Sequence, residues 1–424
     1  MKVMVVGSGG REHAIAKALL RGGSVSDVFC APGNPGMERD GVQPVPIAAS
    51  DQDALASFAR REGIDFTIVG PEQPLTEGLV DRFEAEGLRA FGPTARAARI
   101  EGSKEFAKRV MAAAGVPTAS YRAFTDYDEA AGYAESQGAP IVVKADGLAA
   151  GKGVVVATTV EQAKEALWDM LEDNRLGDAG ASVVVEEFLE GQEFSLLAFV
   201  DGNRVYPMVI AQDHKAAYDG DLGPNTGGMG AYSPVPQISQ DVVDEATEQI
   251  LKPVAAQMVA QGDRFRGVLY AGLINTEEGP KVIEFNARFG DPEAQVVLPR
   301  LKSDLATVVD DLLEGREPEI EWDDHRCCVG VVVAANGYPG AYASGFVLPE
   351  LGDIDSQVDV YYSGVSQDPS GRLHAAGGRI YLAQACGPTL KDAQEKVYSA
   401  LEEADTTGSF YRTDIGNRGV AAQA

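Results

Sequence analysis

Cysteine and histidine are scarce in this chain, with four residues of each among 424. The cysteines have no C-x-x-C spacing, which favours reduced, buried thiols in the cytosol. The histidines lie in separate segments, so a histidine metal site is not expected. No charged-then-apolar leader opens the chain, and no apolar run reaches the about 18 residues that a membrane span needs. We therefore expect a cytoplasmic protein that binds no membrane.

Basic residues are also in short supply, since 36 lysines and arginines face 64 acidic residues and give a net charge of -28. Long-range repulsion of this size argues against a nucleic-acid partner and an anionic membrane surface. An anionic ligand would have to be held by local lysines, arginines and loop amides. The length of the chain predicts about three domains, at roughly 100–200 residues each.

The first hundred residues alternate short apolar runs with helical patterns, which predicts a doubly wound parallel sheet. The opening VMVVGSGGREHA resembles a dinucleotide fingerprint, but Glu12 occupies the place of the third glycine, and no acid ends the following strand. NAD binding is therefore not expected. What remains is a turn whose amides, around Gly9 and Gly10, can hold a substrate phosphate. A turn that merely connects two elements is the alternative.

A glycine-rich loop joins two β-branched runs at 141–156, IVVKADGLAAGKGVVV. The runs predict a hairpin, and the spacing does not match a P-loop. Glycine lets the loop backbone approach an anion closely, and lysines add positive charge. The loop contains Lys144, Gly147, Gly151, Lys152 and Gly153. We interpret it as a phosphate-binding lid, with an ordinary glycine hairpin as the alternative.

The segment 282–293, VIEFNARFGDPE, carries polar side chains at alternate positions. In a strand, Glu284 and Asn286 would project from one face. Carboxylate and amide oxygens suit Mg²⁺, which completes its octahedron with phosphates and water. Arg288, on the same face if the strand continues, could neutralise charge on a phosphoryl group. A surface strand with unrelated polar residues is the alternative.

The segment 183–193, VVVEEFLEGQE, passes from an apolar strand into an acidic connector. Backbone groups at Glu186 and Phe188 could bind the adenine edge, and Glu193 could accept from ribose hydroxyls. Glu187 belongs to the same predicted nucleotide site. Acidic connectors are common, so a plain connector is the alternative.

From Cys327 onward the pattern changes and predicts a small mixed α/β unit. The tail 416–424 is rich in glycine and alanine, and we expect it to be mobile.

Several long segments together resemble the ATP-grasp superfamily of carboxylate–amine ligases and, within it, the phosphoribosylamine–glycine ligase family. The segment 212–234 is the most discriminating, because a general nucleotide binder has no reason to contain it. The strand 268–274, VLYAGLI, lacks an acid that many ATP-grasp relatives have, so only two protein ligands to a metal are expected. The matching segments are GSGGREHA at 7–14, GPEQPL at 70–75, GSKEFAK at 102–108, KADGLAAGKGV at 144–154, EEFLEGQEFS at 186–195, QDHKAAYDGDLGPNTGGMGAYSP at 212–234 and EFNARFGDPE at 284–293.

The resemblance implies a combined α/β and α+β architecture, the ATP-grasp fold. It places a doubly wound parallel-sheet substrate domain at 1–101. An ATP-grasp domain would follow at 102–325, including a mobile lid subdomain at about 121–190, and a small mixed α/β domain at 326–424.

The resemblance also implies a reaction: ATP-dependent ligation of glycine to 5-phosphoribosylamine through glycyl phosphate, with Mg²⁺ or Mn²⁺, by a cytoplasmic monomer of purine synthesis. Lys104 and Lys144 would hold the ATP phosphates, and the N-terminal turn with Gly9, Gly10 and Glu12 would take the phosphoribosylamine. Arg288, Asp291 and Lys215 are the expected catalytic residues. Asp213, Lys215 and Asp291 are the candidates for binding glycine's two charged ends. The segment from Asn225 to Gly230 would line that pocket, with Asn225, Thr226, Gly227 and Gly228 as the expected substrate-binding residues.

Three alternatives stay open at this point. The first is another ATP-grasp carboxylate–amine ligase or a purine-pathway carboxylase. The second is a nucleotide-binding regulator without turnover, and the third is the NAD dehydrogenase that Glu12 argues against.

Overall fold

The fold is that of a computed structural model, which describes residues 1–147, 153–173, 180–349 and 357–423. Among these residues, no helix is long and apolar enough to cross a membrane.

The N-terminal unit is built on a parallel sheet with the strand order β3-β2-β1-β4-β5. Its central strand is buried on both faces, from Val3 to Val6, because helices cover the sheet on either side. The predicted doubly wound sheet is confirmed. Its strands are β1 Lys2–Gly7, β2 Asp27–Pro32, β3 Gln43–Pro44, β4 Phe66–Val69 and β5 Ala90–Phe91, and its helices are α1 Gly10–Gly22, α2 Gln52–Glu62, α3 Glu72–Thr76, α4 Leu79–Ala85 and α5 Ala95–Gly102.

The next unit has a small antiparallel sheet in the order β6-β9-β7-β8 with two helices packed on it. A hydrophobic cluster that includes Phe124, Val143 and Leu167 forms a core of its own for this segment. The predicted lid at about 121–190 coincides with that core, and its mobility stays a prediction. The elements are α6 Lys104–Ala114, β6 Tyr121–Phe124, α7 Tyr127–Gln137, β7 Ile141–Ala145, β8 Val154–Ala157, α8 Val160–Leu171 and β9 Val183–Glu187.

A second antiparallel sheet follows, in the order β11-β10-β16-β17, and its long central strands are almost wholly buried. This sheet and the lid sheet face the same cavity. The elements are β10 Gln192–Asp201, β11 Arg204–Pro207, β12 Gln212–Asp213, β13 Ala216–Tyr218, β14 Leu222–Asn225, β15 Gly230–Ser233, α9 Gln240–Ala246, a π-helical turn Thr247–Leu251, α10 Lys252–Ala260, β16 Arg266–Thr276, β17 Gly279–Asn286, α11 Ala294–Val297 and α12 Leu305–Leu313.

A two-stranded sheet of β20 and β21 lies within the C-terminal unit, whereas the other C-terminal strands do not form a sheet by themselves. They join β12 and β15 in the order β12-β15-β18-β22-β19, with β23 beside β18. The predicted boundary at 325/326 therefore does not separate two sheets. The elements are β18 Cys327–Ala335, β19 Val358–Tyr362, β20 Val365–Gln367, β21 Leu373–Ala375, β22 Arg379–Gly387, α13 Leu390–Glu403, β23 Ser409–Phe410 and α14 Asn417–Gln423.

The expectation of a mobile C-terminal tail is wrong for residues 417–423, which form helix α14. The Gln423 side chain accepts a hydrogen bond of 2.9 Å from the Leu390 amide, and Gly419 is buried. The glycine and alanine content that suggested disorder instead allows the helix to pack closely on the C-terminal unit.

Candidate active site

A cavity of about 560 Å³ lies where the lid, the second sheet, the N-terminal unit and the C-terminal strands meet. Most of the predicted site residues lie on its wall, although they come from segments far apart in the sequence. Those residues are Lys104, Lys144, Gly147, Gly153, Glu186, Glu187, Phe188, Glu193, Asp213, Lys215, Asn225, Thr226, Gly227, Glu284, Asn286, Arg288 and Asp291.

The other predicted residues are not on this wall. Gly151 and Lys152 lie outside the described residues. Gly228 lies behind the wall, where an added Cβ would come within 2.5 Å of Pro292 Cδ. Gly9, Gly10 and Glu12 are also absent from the described lining.

The N-terminal turn differs from its prediction in a specific way. The Gly9 amide donates a 2.7 Å hydrogen bond to Glu12 Oε2, so the chain's own carboxylate caps this helix start. Gly10 packs against Gln295, whose Nε2 would lie 2.8 Å from an added Cβ. Arg11, between these residues, is the part of the turn that lines the cavity. The Gly9 amide is therefore bonded within the turn, and phosphate binding at this turn stays a prediction.

On the lid side of the cavity, Lys144 is the penultimate residue of the buried strand β7. Its Nζ lies 2.8 Å from Glu186 Oε2 and donates to the Ile283 carbonyl at 3.0 Å. Both contacts fix the ammonium group at the junction of the lid sheet and β17. The predicted hairpin is present as the antiparallel pair of β7 and β8.

The start of helix α6 is tied to the end of the same hairpin strand. Ser103 caps the helix, with its Oγ accepting from the Phe106 amide at 3.1 Å. Asp146 Oδ1 accepts from the Glu105 amide at 2.7 Å. Lys104 is thus held near Lys144 by backbone contacts, because a helix N-terminus favours hydroxyl and carboxylate partners.

Glu284 and Asn286 lie near the end of β17 and both face the cavity, as alternation along a strand requires. Burial raises the pKa of Glu284, but the charges of Lys104, Lys215 and Lys144 outweigh burial and leave its pKa below the ordinary value. Among the described residues, no group of three or more His, Cys, Asp or Glu side chains could hold a metal. A cation held by Glu284 and Asn286 would therefore need oxygens of a bound substrate or of water to complete its coordination.

Arg288 follows β17 and is held by two carboxylates. Its Nη2 lies 2.8 Å from Glu101 Oε1, and its Nε donates to Glu72 Oε2 at 3.4 Å. Glu101 in turn accepts from the Ala287 amide at 2.7 Å. The guanidinium charge that we expected to face a phosphoryl group is thus shared with protein carboxylates.

Another part of the cavity wall carries a third lysine, Lys215. Lys215 Nζ lies 3.2 Å from Glu193 Oε2 and 4.0 Å from Asp213 Oδ1. The charge of Asp213 outweighs burial and raises the pKa of Lys215 well above its ordinary value, and Glu193 adds a smaller contribution in the same direction. Burial raises the pKa of Asp213 to about 7 in spite of Lys215. This side offers both a cation and carboxylates to an entering ligand.

Domain comparisons cover almost the whole chain. Residues 1–101 match the N domain of phosphoribosylglycinamide synthetase, residues 102–294 its ATP-grasp (A) domain and residues 328–418 its C domain. A phosphoribosylamine–glycine ligase of Listeria innocua is 55% identical over 418 residues, which are 99% of this chain and 100% of the relative. The chain belongs to the phosphoribosylglycinamide synthetase family.

Solved structures agree with this assignment. The phosphoribosylamine–glycine ligase of Thermotoga maritima has a TM-score of 0.84 and 31% identity, covering 98% of this chain and 100% of that one. The biotin carboxylase domain of Hydrogenobacter thermophilus 2-oxoglutarate carboxylase, solved with MgADP, ADP and bicarbonate, has a TM-score of 0.73 at 16% identity, covering 97% of this chain and 91% of that one. At this identity the second likeness shows the fold alone. The predicted family and ATP-grasp fold are confirmed, and the NAD dehydrogenase alternative is excluded.

Two cavity residues of this phosphoribosylglycinamide synthetase family member were missed because they come from the C-terminal unit. Arg379 Nη1 donates to the Gly227 carbonyl at 2.7 Å, and its Nη2 lies 2.7 Å from Asp291 Oδ2. The Tyr338 hydroxyl accepts a hydrogen bond from the Gly227 amide at 3.2 Å. No local pattern marks either residue, since only the sheet formed by β15, β18 and β22 brings them to the cavity.

Asp291, predicted to bind substrate, is also engaged by the protein. Its second carboxylate oxygen, Oδ1, accepts from Gln295 Nε2 at 2.7 Å. Burial raises the pKa of Asp291, but the charges of Arg379 and Arg11 help to outweigh burial and leave the pKa below its ordinary value. The carboxylate is therefore ionised. Asp291 thus joins β22, α11 and the N-terminal turn around one end of the cavity.

Proposed function

We propose that this chain joins glycine to 5-phosphoribosylamine, converting ATP to ADP and phosphate and giving glycinamide ribonucleotide by way of glycyl phosphate. The observation that carries the proposal is a single cavity with lysines and a glycine hairpin on one side and Lys215 with Asp213 on the other. A family member needs both features, because the same site must hold a triphosphate and an amino acid.

The nucleotide is assigned to the lid side. Lys104 and Lys144 hold the phosphates, and Gly147 and Gly153, the loop glycines on the described cavity wall, cover them. Backbone groups at Glu186 and Phe188 bind adenine, with Glu187 beside them and Glu193 at the ribose. The chain as a whole is acidic and repels anions at long range. Lysines confined to the cavity wall are therefore needed to bind the phosphates locally.

A divalent cation, Mg²⁺ or Mn²⁺, fits Glu284 and Asn286. The fit rests on two hard oxygen donors on one face of β17, one of them an ionised carboxylate beside lysines that would also hold phosphates. When bound, the cation neutralises charge on the phosphate oxygens.

In the first step, a carboxylate oxygen of glycine forms a bond to the γ-phosphorus of ATP, and the bond from that phosphorus to ADP breaks. Lys215 orients the glycine carboxylate, while Asp213 and Asp291 face its ammonium group. Asn225, Thr226 and Gly227 line this pocket, with Gly228 behind them. The protein forms no covalent bond in this step and acts by position and charge.

In the second step, the amine nitrogen of phosphoribosylamine forms a bond to the acyl carbon of glycyl phosphate. The bond from that carbon to the phosphate oxygen breaks, phosphate leaves with the electron pair, and the nitrogen loses a proton. The phosphoribosylamine enters from the N-terminal side, where Arg11 reaches the cavity and Glu12 holds the turn at Gly9. Closure of the lid protects the acyl phosphate, because water would otherwise hydrolyse it. Arg288 contributes positive charge near the reacting groups.

The proposal extends to the state of the protein in the cell. We infer a cytoplasmic monomer that acts on small molecules, with no nucleic-acid or membrane partner. The net charge of -28 supports the exclusion of anionic partners.

Substrate omission tests the proposed reaction. ADP release and the mass of the product are measured with all three substrates and with each one left out in turn, and bicarbonate replaces glycine as a control acid. Equimolar ADP and glycinamide ribonucleotide only in the complete mixture supports the proposal. Turnover with bicarbonate in place of glycine, or ADP release at the same rate without glycine, overturns the proposed reaction.

A further inference from the structure

The lysine assigned to the nucleotide is already paired within the protein. Lys144 and Glu186 are separated by 2.8 Å, and their side chains are 5% and 3% exposed. A lysine and a carboxylate in such a pair carry no net charge. Taken alone, this pair would offer a triphosphate little attraction.

A second lysine lies on the other side of the same carboxylate. Lys108 Nζ is 3.1 Å from Glu186 Oε1, and its side chain is 2% exposed. Lys108 follows Lys104 by one helical turn on α6, so both side chains leave the same face of the helix. Unlike Lys104, Lys108 is not on the described cavity wall, because Glu186 lies between it and the cavity.

The three side chains therefore form a cluster of two lysines and one carboxylate, with a formal charge of +1. We propose that Lys108 is a positioning residue for the nucleotide. By pairing with one oxygen of Glu186, Lys108 offsets the carboxylate charge, so that the cluster keeps one net positive charge at the cavity wall where Lys144 lies. The inference rests on the proposed function, since it concerns the ATP side of that site.

The surroundings of Lys108 fit a role in charge balance better than a role in packing. Its Nζ donates to Thr118 Oγ1 at 2.8 Å and lies 5.1 Å from the centre of the Tyr121 ring. Burial lowers the pKa of Lys108, and Glu186 opposes that effect. A methionine would fill the same space without the cost of burying an ion, so packing alone does not explain a lysine here.

Lys108→Met removes the charge and keeps the length of the side chain. We expect the dissociation constant and KM for ATP to rise by about tenfold, the order expected for one charge near a phosphate in a partly buried site. The KM values for glycine and phosphoribosylamine should stay unchanged. Thr118 keeps its bond to the Val282 carbonyl at 2.7 Å, so the fold should tolerate the change.

A compensating variant separates charge balance from structural damage. In Lys108→Met/Glu186→Gln, Lys144 is the only charged member of the cluster, so the formal charge of the cluster returns to +1. We expect ATP affinity to return close to the wild-type value, and Lys108→Arg to stay close to it throughout. Arg109→Met is the matched control, because it removes an exposed charge from the next position of the same helix.

The measurements are ATP binding by calorimetry, steady-state KM values and the melting temperature of each variant. Unchanged ATP affinity in Lys108→Met would overturn the inference, as would a well-folded double variant as weak as the single one. If Lys108→Met does not fold, Lys108→Gln gives the same test with a donor left for Thr118. A wild-type protein that binds no ATP would instead overturn the proposed function.

Discussion

Two lysine–carboxylate clusters at the cavity have opposite balances of charge. On the lid side, Lys108 and Lys144 share Glu186. In the other cluster, Lys215 lies 3.2 Å from Glu193, which is also the proposed ribose acceptor, and 4.0 Å from Asp213 in the proposed glycine pocket. Two cations with one carboxylate favour an anion, whereas one cation with two carboxylates can accept a ligand that carries both charges.

The clusters also differ in their exposure. The lid-side members are at most 5% exposed, whereas the Lys215 and Glu193 side chains are 37% and 50% exposed. A closed cluster keeps a fixed charge, while an open one can exchange its internal partners for those of a ligand. In an acidic chain, the local ratio of charges therefore decides which ligand each side takes.

The largest effect is expected at the carboxylate between the two clusters. Glu284→Ala should reduce kcat by about a thousandfold or more, because phosphoryl transfer depends on the bound cation. The melting temperature should change little, since Glu284 faces the cavity. Stopped assays of ADP measure the loss, and the exposed Glu277→Ala is the control. Full activity in Glu284→Ala would remove the metal assignment.

A tenfold to hundredfold effect is expected when either cluster loses its cavity lysine. Lys144→Met should raise the KM for ATP by about tenfold or more and leave the KM for glycine unchanged, while Lys215→Met should do the reverse. Initial rates with each substrate varied in turn give both constants. If the two variants altered the same constant, the division of the cavity into two sides would be wrong.

The open cluster should also respond to pH. Burial raises the pKa of Asp213 from 3.8 to about 7, so the carboxylate ionises as the pH passes neutrality. Glycine should then bind more tightly at pH 8 than at pH 6, because the ionised form attracts its ammonium group. Asp213→Asn should bind glycine weakly at both values and lose the dependence.

The same shift has a consequence for stability with the opposite sign. A carboxyl whose pKa is raised on folding holds its proton more tightly in the folded state, so its ionisation lowers stability as the pH rises from about 4 through 7. Asp213→Asn should therefore raise the melting temperature more at pH 8 than at pH 5. An equal effect at both values would show that Asp213 ionises normally in the folded protein.

The smallest effect is expected at the helix cap beside the hairpin. Ser103→Ala should cost about 1 kcal/mol of stability, the usual value of a lost N-cap. It should also raise the KM for ATP slightly, because the cap positions Lys104. Thr159→Ala is the matched control, since Thr159 caps helix α8 away from the cavity. A KM change of the same size in both variants would count against the positional role.

The residues that the sequence placed well are those whose position follows from local periodicity. Glu284 and Asn286 share a strand face because side chains alternate, and Lys144 ends a β-branched run before a glycine loop. Family segments then brought Lys215 and Asp213 to the same site. These inferences need only short-range geometry or a long matching motif.

The contacts that the sequence did not predict depend on side-chain partners that local patterns do not show. Glu12 has the spacing of a ligand-binding residue, yet its carboxylate folds back on the Gly9 amide. Lys144 meets Glu186 only through the pairing of β7 with β9. Arg379 reaches the cavity because β22 joins a sheet that crosses the expected domain boundary.

The most direct test of the two-sided cavity is a crystal structure with a non-hydrolysable ATP analogue, Mn²⁺ and glycine. We expect an anomalous peak about 2 Å from oxygens of Glu284 and Asn286, triphosphate beside Lys104 and Lys144, and glycine beside Lys215. A nucleotide seated against Lys215, or manganese bound away from β17, would contradict it.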